Sequence, residues 1–547
     1  MKFLYVFCLL LFPLVSFAYP SSLSRSYKFR VYLSDKGETG YSLHDPSRFL
    51  SRQALERKER QKVAVDEADL PISRDYFTLV EQSGGKVVAH SKWFSTLVVE
   101  VKDSLSITRV EALSFVDSVK YVWQGTDLPY SEGPRPRLEE MPRVRKTAAH
   151  TPFGASYAQF KMHNATGMFN AGYRGKGIGV GVIDAGFTNF DVIPWFDTVE
   201  LRGYKDFVPG GSLFASSDHG TKVLSTMAVN RPGRVVGSAP DAAYWLLRSE
   251  DVASEFPVEE DYWVQAIEYA DSVGVDVVNT SLGYNHFNDS SLNYTHEDLT
   301  GNVSIMSRAA DKASRKGMIV VVSAGNEGNK VWQKSTPPGD AKKVLAVGAV
   351  GVDSVIASFS SRGEMADGRV KPDLVSVGKE AVTIGQNGLV GSTNGTSLSS
   401  PFLAGLIASL WSINPELHRE ELVDIVKRSS DRYTSPDSVY GHGIPDFGRA
   451  VKEVLETLEV HPRRVTDDGW LIEPDSSGDY WVKATNLPFS GDAYKVRLLD
   501  ESGLVLSEHT LGASDAVSVP LPGNGEPRYL YFVVEEPFRQ RTYRVRL

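Results

Sequence analysis

Apolar positions along the chain fall into three blocks with different patterns. In residues 150–455, short continuous apolar runs alternate with helical stretches, and the runs read GIGVGVID, AAYWLLRS, VDVVNTSL, GMIVVVSAG and VLAVGAV. Such runs are typical of strands buried on both faces, and intervening helices are what connect parallel strands. The pattern predicts an α/β domain with a parallel sheet over 150–455.

The blocks on either side of this domain have strand patterns of their own. Residues 26–124 contain an alternating strand over 27–33 and helix formers between Pro46 and Gln61, which predicts a small α+β unit. Further β-rich stretches of this unit cover 86–101 and 118–124. From residue 460 onward, β-rich segments separated by turns predict a β-sandwich over 460–547, with a hairpin turn at 500–503.

Two segments outside these units indicate processing. Lys2, an apolar stretch over 3–14 and Ser16-Phe17-Ala18 predict a secretory signal over 1–18, cleaved after Ala18; a buried strand or helix is the alternative. Residues 125–149 shift to Pro, Gly and charge, which predicts an exposed linker. This linker contains basic residues at which proteases are expected to cut, namely Arg143, Arg145 and Lys146. No later run reaches the roughly 18 apolar residues of a membrane span, so none is expected in the mature chain.

Composition and charge narrow the classes of partner and chemistry. The 547 residues are 41% hydrophobic and 23% charged, which is ordinary for a globular protein of several domains. Residues 1–150 carry 22 Lys and Arg against 18 Asp and Glu, whereas 151–547 carry 37 against 50. The excess of acidic residues over 151–547 argues against nucleic acid as a partner. The single cysteine, Cys8, lies in the predicted signal, so the exported protein would have neither a disulfide nor a thiol nucleophile.

Polar side chains that follow the apolar runs are the candidates for catalysis, because functional groups collect at the carboxyl ends of parallel strands. Asp184 is the last residue of the first run and precedes Ala185-Gly186. His219 begins a helix-forming run, where the helix dipole is expected to favour its neutral form and suit it to act as a base. Taken singly, a capping role for the acid and a surface or core position for the histidine remain open.

Two later motifs add a hydrogen-bond donor and a nucleophile. Asn326, in Ser-Ala-Gly-Asn-Glu-Gly after the fourth run, can donate its side-chain amide to a developing oxyanion, with a turn asparagine as the alternative. Ser397 precedes Pro401, which suits the first turn of a helix that is apolar all round and therefore buried. The free N–H groups at that helix start would lie beside the Ser397 hydroxyl, although an N-capping serine is the alternative.

Together these motifs resemble the subtilisin-like serine protease family. VIDAGF is similar to the family's aspartate block, HGTKV to its histidine block, SAGNEG to its oxyanion asparagine block and GTSLSSP to its serine block. The order Asp, His, Ser is that of subtilisin, and the resemblance covers about 155–450. It implies a doubly wound parallel-sheet catalytic domain and an endopeptidase that hydrolyses peptide bonds of peptide or protein substrates through an acyl-enzyme.

The resemblance also implies residue roles. Ser397 is expected as nucleophile, His219 as general base and then acid, Asp184 as orienter of the imidazole, and Asn326 as oxyanion donor. Ala185 departs from the Ser or Thr usual in the family, which we expect to tune activity rather than abolish it. The expected substrate-binding residues are Ser281, Leu282 and Gly283 of a pocket-edge strand, with Gly325 near the opposite wall.

The flanking units resemble further parts of such enzymes. Residues 19–149 are similar to the family's inhibitory propeptide and its linker, so the chain is expected to be a zymogen inhibited by its own propeptide and cut within 125–149. An independent binding domain is the alternative. The β-sandwich over 460–547 resembles sorting domains of a Bacteroidetes-type secretion route, which would make secretion machinery a partner. An accessory domain for stability or substrate docking is the alternative.

Other function classes remain as alternatives to a secreted or cell-surface enzyme. A catalytically inactive homologue acting as an extracellular binding protein is disfavoured, since all four chemical positions carry the right residue type. An ester or amide hydrolase of another fold is disfavoured, since the pattern G-x-S-x-G is absent around Ser397. The chemistry is expected to need no cofactor, while structural calcium stays open because no motif places it.

Overall fold

The computed structural model describes residues 25–126, 135–138, 152–467, 469–476, 478–485, 494–512, 516–521 and 528–547. The signal predicted over 1–18, with Cys8, lies outside the described residues, as do Arg143, Arg145 and Lys146 of the predicted linker. Within the described residues, no helix has both the length and the apolar character needed to cross a membrane.

The N-terminal unit is an antiparallel sheet covered by short helices, as the sequence predicts. Its elements are β1 (Arg25–Leu33), α1 (Arg52–Arg60), α2 (Arg74–Gln82), β2 (Lys86–Ser91), β3 (Thr96–Val101), α3 (Ile107–Glu111) and β4 (Val116–Thr126). The strands lie in the order β2-β3-β1-β4. The β-rich stretch predicted over 86–101 is a pair of strands, because the chain reverses between Ser91 and Thr96.

A seven-stranded parallel sheet forms the centre of the molecule. Its strands are β5 (Gly179–Asp184), β6 (Glu200–Asp206), β9 (Ala243–Arg248), β10 (Val277–Thr280), β11 (Ile319–Ser323), β12 (Leu345–Val350) and β15 (Leu374–Val377). They lie in the order β15-β12-β11-β10-β5-β9-β6. The five apolar runs are β5, β9, β10, β11 and β12, which confirms the predicted α/β fold. The two edge strands β6 and β15 were not predicted, and β6 reads ELRGYKD, a half-exposed sequence without an apolar run.

Helices cover both faces of this sheet. The helices of the central unit are α4 (Tyr157–Met162), α5 (Thr166–Asn170), α6 (His219–Ala228), α7 (Val258–Val273), α8 (Ile305–Arg315), α9 (Thr396–Trp411), α10 (Arg419–Ser429) and α11 (Phe447–Glu456). Val182 packs with α6 and α9, whereas its neighbour Ile183 packs with α7 and α8. Successive side chains of a strand therefore enter opposite layers, as a doubly wound sheet requires.

Small two-stranded sheets form within the loops of the central unit. They pair β7 (Asn230–Arg231) with β8 (Val235–Val236), β13 (Gly363–Glu364) with β14 (Val370–Lys371), and β16 (Ala381–Ile384) with β17 (Val390–Thr393). The last pair directly precedes α9. It thereby brings the chain back to the carboxyl ends of the central strands.

The N-terminal unit docks on α7 through buried ion pairs. Arg30 of β1 contacts Asp261 at 2.6 Å, and both side chains are almost fully buried. Arg57 of α1 pairs with Asp271, again without exposure to solvent. The uneven charge of the sequence thus has a structural counterpart, because cationic side chains of the N-terminal unit pair with acidic side chains of α7 in the central unit.

The C-terminal unit consists of two facing sheets, which confirms the predicted β-rich region. Its strands are β18 (Val460–Pro462), β19 (Val465–Asp467), β20 (Trp470–Pro474), β21 (Tyr480–Ala484), β22 (Tyr494–Leu499), β23 (Val505–Leu511), β24 (Ala516–Val519), β25 (Tyr529–Glu535) and β26 (Gln540–Arg546). One sheet has the order β18-β26-β25-β22-β23 and the other β19-β20-β21-β24. The hairpin predicted at 500–503 joins β22 to β23.

Candidate active site

Asp184 and His219 meet at the carboxyl end of the central sheet. Asp184 is the last residue of β5 and is fully buried, and His219 is the first residue of α6. The imidazole Nδ1 lies 2.7 Å from Asp184 Oδ1, which also accepts a bond from the Ala185 backbone N–H at 2.8 Å. Asp184 Oδ2 is buried without a hydrogen-bond partner among the described residues. A carboxylate placed in this way fixes both the tautomer and the orientation of the ring.

The charge state of His219 differs from the sequence-based expectation. Burial lowers the pKa of His219, but the Asp184 carboxylate outweighs this effect and, with Glu250 and Asp218, raises the pKa to about 9. The expected dominance of the helix dipole is wrong, because a contacting carboxylate acts on the ring at much shorter range. The ring therefore favours the protonated form at neutral pH and becomes a free base in alkaline solution.

Ser397 lies in the first turn of α9. The sequence places the start of this helix near Pro401, but the helix begins five residues earlier, at Thr396. Proline lacks the N–H that would bond to the carbonyl four residues back, which is that of Ser397. The Ser281 hydroxyl donates to this carbonyl instead, at 2.9 Å. The Ser397 hydroxyl donates to the Ser281 carbonyl at 3.4 Å, a long bond that a rotation about χ1 would release.

Asn326 is oriented by the residue that precedes Ser397. The Asn326 side-chain oxygen accepts from the Thr396 backbone N–H at 2.9 Å and from its hydroxyl at 3.1 Å. The amide nitrogen is therefore directed away from Thr396. A Cβ atom added to Gly395 would stand 3.7 Å from both this nitrogen and the Ser397 backbone nitrogen. Gly395 thus leaves open a space flanked by two donors, which is the geometry that a developing oxyanion needs.

The predicted substrate-binding residues form two walls of the same cavity. Leu282 and Gly283 follow β10, and Gly325 faces them after β11, where its φ of +107° suits glycine. Thr336 lies between the walls, since a Cβ on Gly283 would come within 2.2 Å of its hydroxyl oxygen and one on Gly325 within 3.1 Å. Thr336 was not predicted from the sequence, because its loop has no apolar run or motif to mark it.

One cavity of about 360 Å³ unites these groups. His219, Ser281, Asn326 and Ser397 all line it. Glu250 and Glu255 line it as well, and neither was predicted from the sequence. Glu250 follows β9 by two residues, so its position at the carboxyl end of a parallel strand, like that of Asp184 at the end of β5, was a signal for it. Among the described residues, no three His, Cys, Asp or Glu side chains are grouped to hold a metal ion.

Comparisons with known proteins agree with this fold and site. Residues 175–443 match the Subtilase family, and residues 28–136 match the Peptidase S8 propeptide domain of Bacteroidota. Subtilisin of Bacillus pumilus is 30% identical over 301 residues, which cover 54% of this chain and 97% of that protein. Subtilisin E of Bacillus subtilis is 28% identical over 370 residues, 67% of this chain and 83% of that protein. Serine protease AprX of Bacillus subtilis is 28% identical over 333 residues, 55% and 71% respectively.

The fold and these relatives define a serine endopeptidase with an N-terminal propeptide domain. The chain belongs to the subtilase family, peptidase family S8. The N-terminal unit on α7 is accordingly its propeptide, an intramolecular inhibitor of the enzyme, and the substrates are proteins or peptides.

Proposed function

We propose that the chain is an exported serine endopeptidase whose catalytic triad is Asp184, His219 and Ser397. The observation that carries this proposal is the 2.7 Å contact between His219 Nδ1 and the buried Asp184, beside a serine at a helix start in the same cavity. When the His219 ring is neutral, Nδ1 carries the proton that is donated to Asp184, so Nε2 is free to accept a proton. Asn326 completes the site as an oxyanion donor.

The proposed reaction proceeds through an acyl-enzyme. His219 takes the proton of the Ser397 hydroxyl as its oxygen attacks the peptide carbonyl carbon. The carbonyl oxygen gains negative charge and accepts bonds from the Asn326 amide and the Ser397 backbone N–H. His219 then gives the proton to the departing amine, and water, activated by the same ring, releases the acyl group. No step in this scheme needs a cofactor.

Substrate binding follows from the walls of the cavity. We propose that an extended peptide pairs with the backbone of Ser281, Leu282 and Gly283, and that Gly325 lines the opposite side. The open backbone at Gly283, which is exposed, supports this role. Thr336 then fills the floor between the two walls and limits the side chain that can enter there.

The proposal includes export and a delayed onset of activity. A signal over 1–18 directs the chain out of the cell, to the medium or the cell surface, and cleavage within 125–149 releases the propeptide from the enzyme. The C-terminal sandwich is proposed as the part that secretion machinery recognises, with an accessory structural role as the competing proposal.

A phosphonylating serine reagent tests the nucleophile. The processed enzyme should be labelled at Ser397, as located by mass spectrometry of its peptides, while Ser397→Ala should take no label at that site. Ser399→Ala, a substitution on the same helix two residues further on, is the matched control and should be labelled normally. Absence of label from an enzyme that cleaves peptides, or label on another serine, would overturn the assignment.

A further inference from the structure

Two glutamates form one side of the catalytic cavity without a role in the proposed chemistry. Glu250 and Glu255 lie on the loop between β9 and α7, and both line the cavity that holds His219 and Ser397. Each is half-buried. We refer to Glu250 and Glu255 as the acidic wall.

Neither carboxylate of the acidic wall has a hydrogen-bond or ion-pair partner among the described residues. The contrast with nearby acids is clear: Glu327, also at this cavity, pairs with Lys330 at 2.8 Å. Burial, followed by the charge of Asp184, raises the pKa of Glu250 to about 7 against the opposing charges of His219 and Arg248, and burial raises that of Glu255 to about 7. Two unpaired carboxylates in a partly dry site are costly unless a cation joins them.

Tyr284 is a further polar group of this cavity without a partner among the described residues. Its ring lines the same cavity, its side chain is only 2% exposed, and its hydroxyl has no hydrogen-bond partner among the described residues. Burial raises the pKa of Tyr284 well above its usual range, and the charge of Glu259, followed by those of Glu250 and Glu255, adds to this effect. Buried polar atoms are nearly always satisfied, so an unpartnered hydroxyl in the lining that also holds Glu250 and Glu255 indicates room for a further polar group there.

The loop that carries the wall is held rigidly. Glu259, fully buried at the start of α7, accepts from the backbone N–H groups of Asp251 at 2.8 Å and Phe256 at 3.0 Å. The Glu255 backbone exchanges two further bonds with Asn288. The carboxylates of the wall are therefore presented by a preorganised backbone, which lowers the entropic cost of binding.

Two described contacts of the propeptide with the catalytic unit lie at different points along its chain. Trp123, near the end of β4, donates to the Ser254 hydroxyl of the wall's loop at 3.2 Å. Further along the chain, the Pro136 carbonyl accepts from Asn189, on the segment that follows Asp184. Of these described residues, the one nearer the N-terminus contacts the wall's loop, and the one nearer the C-terminus contacts the segment after Asp184. A substrate lying in the same direction would present to the wall a residue N-terminal to its cleaved bond.

We propose that the acidic wall is a specificity subsite that binds a Lys or Arg side chain of the substrate, N-terminal to the scissile bond. The inference rests on the proposed function, since it assumes that Ser397 is the nucleophile. The substrate class is therefore extended cationic peptides. The ammonium or guanidinium group pairs with Glu250 and Glu255, and its apolar stem packs on Leu282, which lines the same cavity.

Peptide cleavage by the processed enzyme tests this subsite. Quenched fluorescent peptides carry Lys or norleucine, and Arg or citrulline, at each of the four positions before the cleaved bond. At about pH 8.5, where carboxylates with pKa near 7 are ionised, kcat/KM should favour the cation by about tenfold or more at one position. In Glu250→Gln/Glu255→Gln the ratio should fall to within about twofold of unity.

The controls distinguish loss of the subsite from misfolding and from a general loss of activity. Glu416→Gln removes one charge from an exposed site elsewhere and should preserve the wild-type ratio. Labelling with the phosphonylating reagent counts active sites, so rates refer to folded enzyme only. Equal wild-type rates for cationic and neutral peptides would overturn the subsite, even if the double variant did not fold. Failure of the proposed function has a different signature, namely no cleavage of any peptide and no label on Ser397.

Discussion

Among the single residues of the site, several have one side-chain atom fixed by a hydrogen bond and another atom available to substrate. Asn326 is the clearest case, because Thr396 occupies its oxygen twice and leaves the nitrogen to face the cavity. Asn326→Ala should lower kcat by roughly 10²- to 10³-fold, the range known for loss of this donor from subtilisin, a relative of this chain. KM should change little, since the bond forms mainly in the transition state.

Steady-state kinetics with a peptide substrate measure this effect. Asn414→Ala, on a residue that bonds to Thr457 away from the cavity, is the control and should retain normal kcat. A loss below about threefold in a folded Asn326→Ala enzyme would remove Asn326 from the role of oxyanion donor.

The pH dependence follows from the charges around His219. With a pKa near 9, His219 is mostly protonated at neutral pH, and only the neutral ring can accept the Ser397 proton, so kcat/KM should rise with pH until the ring is neutral. Glu250 is one of the charges that raise this pKa. Glu250→Gln should therefore move the acid limb of the pH profile to lower pH. An unchanged limb, or one displaced to higher pH, would show that Glu250 does not act on the ring.

At the scale of elements, α1 and α7 are joined by a pair of charges with no access to water. Arg57→Ala removes the closer cationic partner of Asp271 and leaves only the Lys58 ammonium at 3.6 Å, so the loss should cost up to about 3–5 kcal/mol of stability. Full-length Ser397→Ala protein, which should stay unprocessed, is a suitable background. Its thermal midpoint should fall by several degrees when Arg57 is also replaced.

An exposed arginine of the same helix provides the control. Arg52 is 88% exposed and pairs with Glu56 one turn along, an arrangement worth about 0.5 kcal/mol or less. Arg52→Ala should therefore leave the midpoint almost unchanged. Equal effects of the two substitutions would mean that the buried pair does not hold the propeptide on α7.

Sequence patterns identified the elements that are apolar and missed those that are not. The runs that became β5 and β11 are continuous and buried, so they stood out, and the residues after them led to Asp184 and Asn326. Strand β6 is half-exposed and charged, so hydrophobicity could not mark it. The position of Thr336 between Gly283 and Gly325 depends on the approach of distant segments, which no local pattern encodes.

At the scale of the whole molecule, the C-terminal sandwich is part of the same core as the central unit. Leu499, Tyr531 and Val533 belong to the apolar cluster that contains α9 and α11, while their strand neighbours fill the sandwich. Tyr531→Ala should therefore cost about 3–5 kcal/mol and lower the thermal midpoint of the central unit as well.

Differential scanning calorimetry of the unprocessed Ser397→Ala protein measures this coupling. Trp481→Ala removes an aromatic ring that is 41% exposed, and it should cost much less than the loss of Tyr531. A central unit that unfolds at the same temperature with or without Tyr531 would show that the sandwich is an independent appendage. That result would favour a role as a sorting domain only.

The proposed nucleophile and the propeptide are linked, because the enzyme is expected to remove its own propeptide. Purified full-length wild type and Ser397→Ala, incubated separately under identical conditions, test this link most directly. The wild type should be cut within 125–149, as read by intact mass, while Ser397→Ala should keep its full length. Processing of Ser397→Ala at the wild-type rate would show that Ser397 does not cut the propeptide.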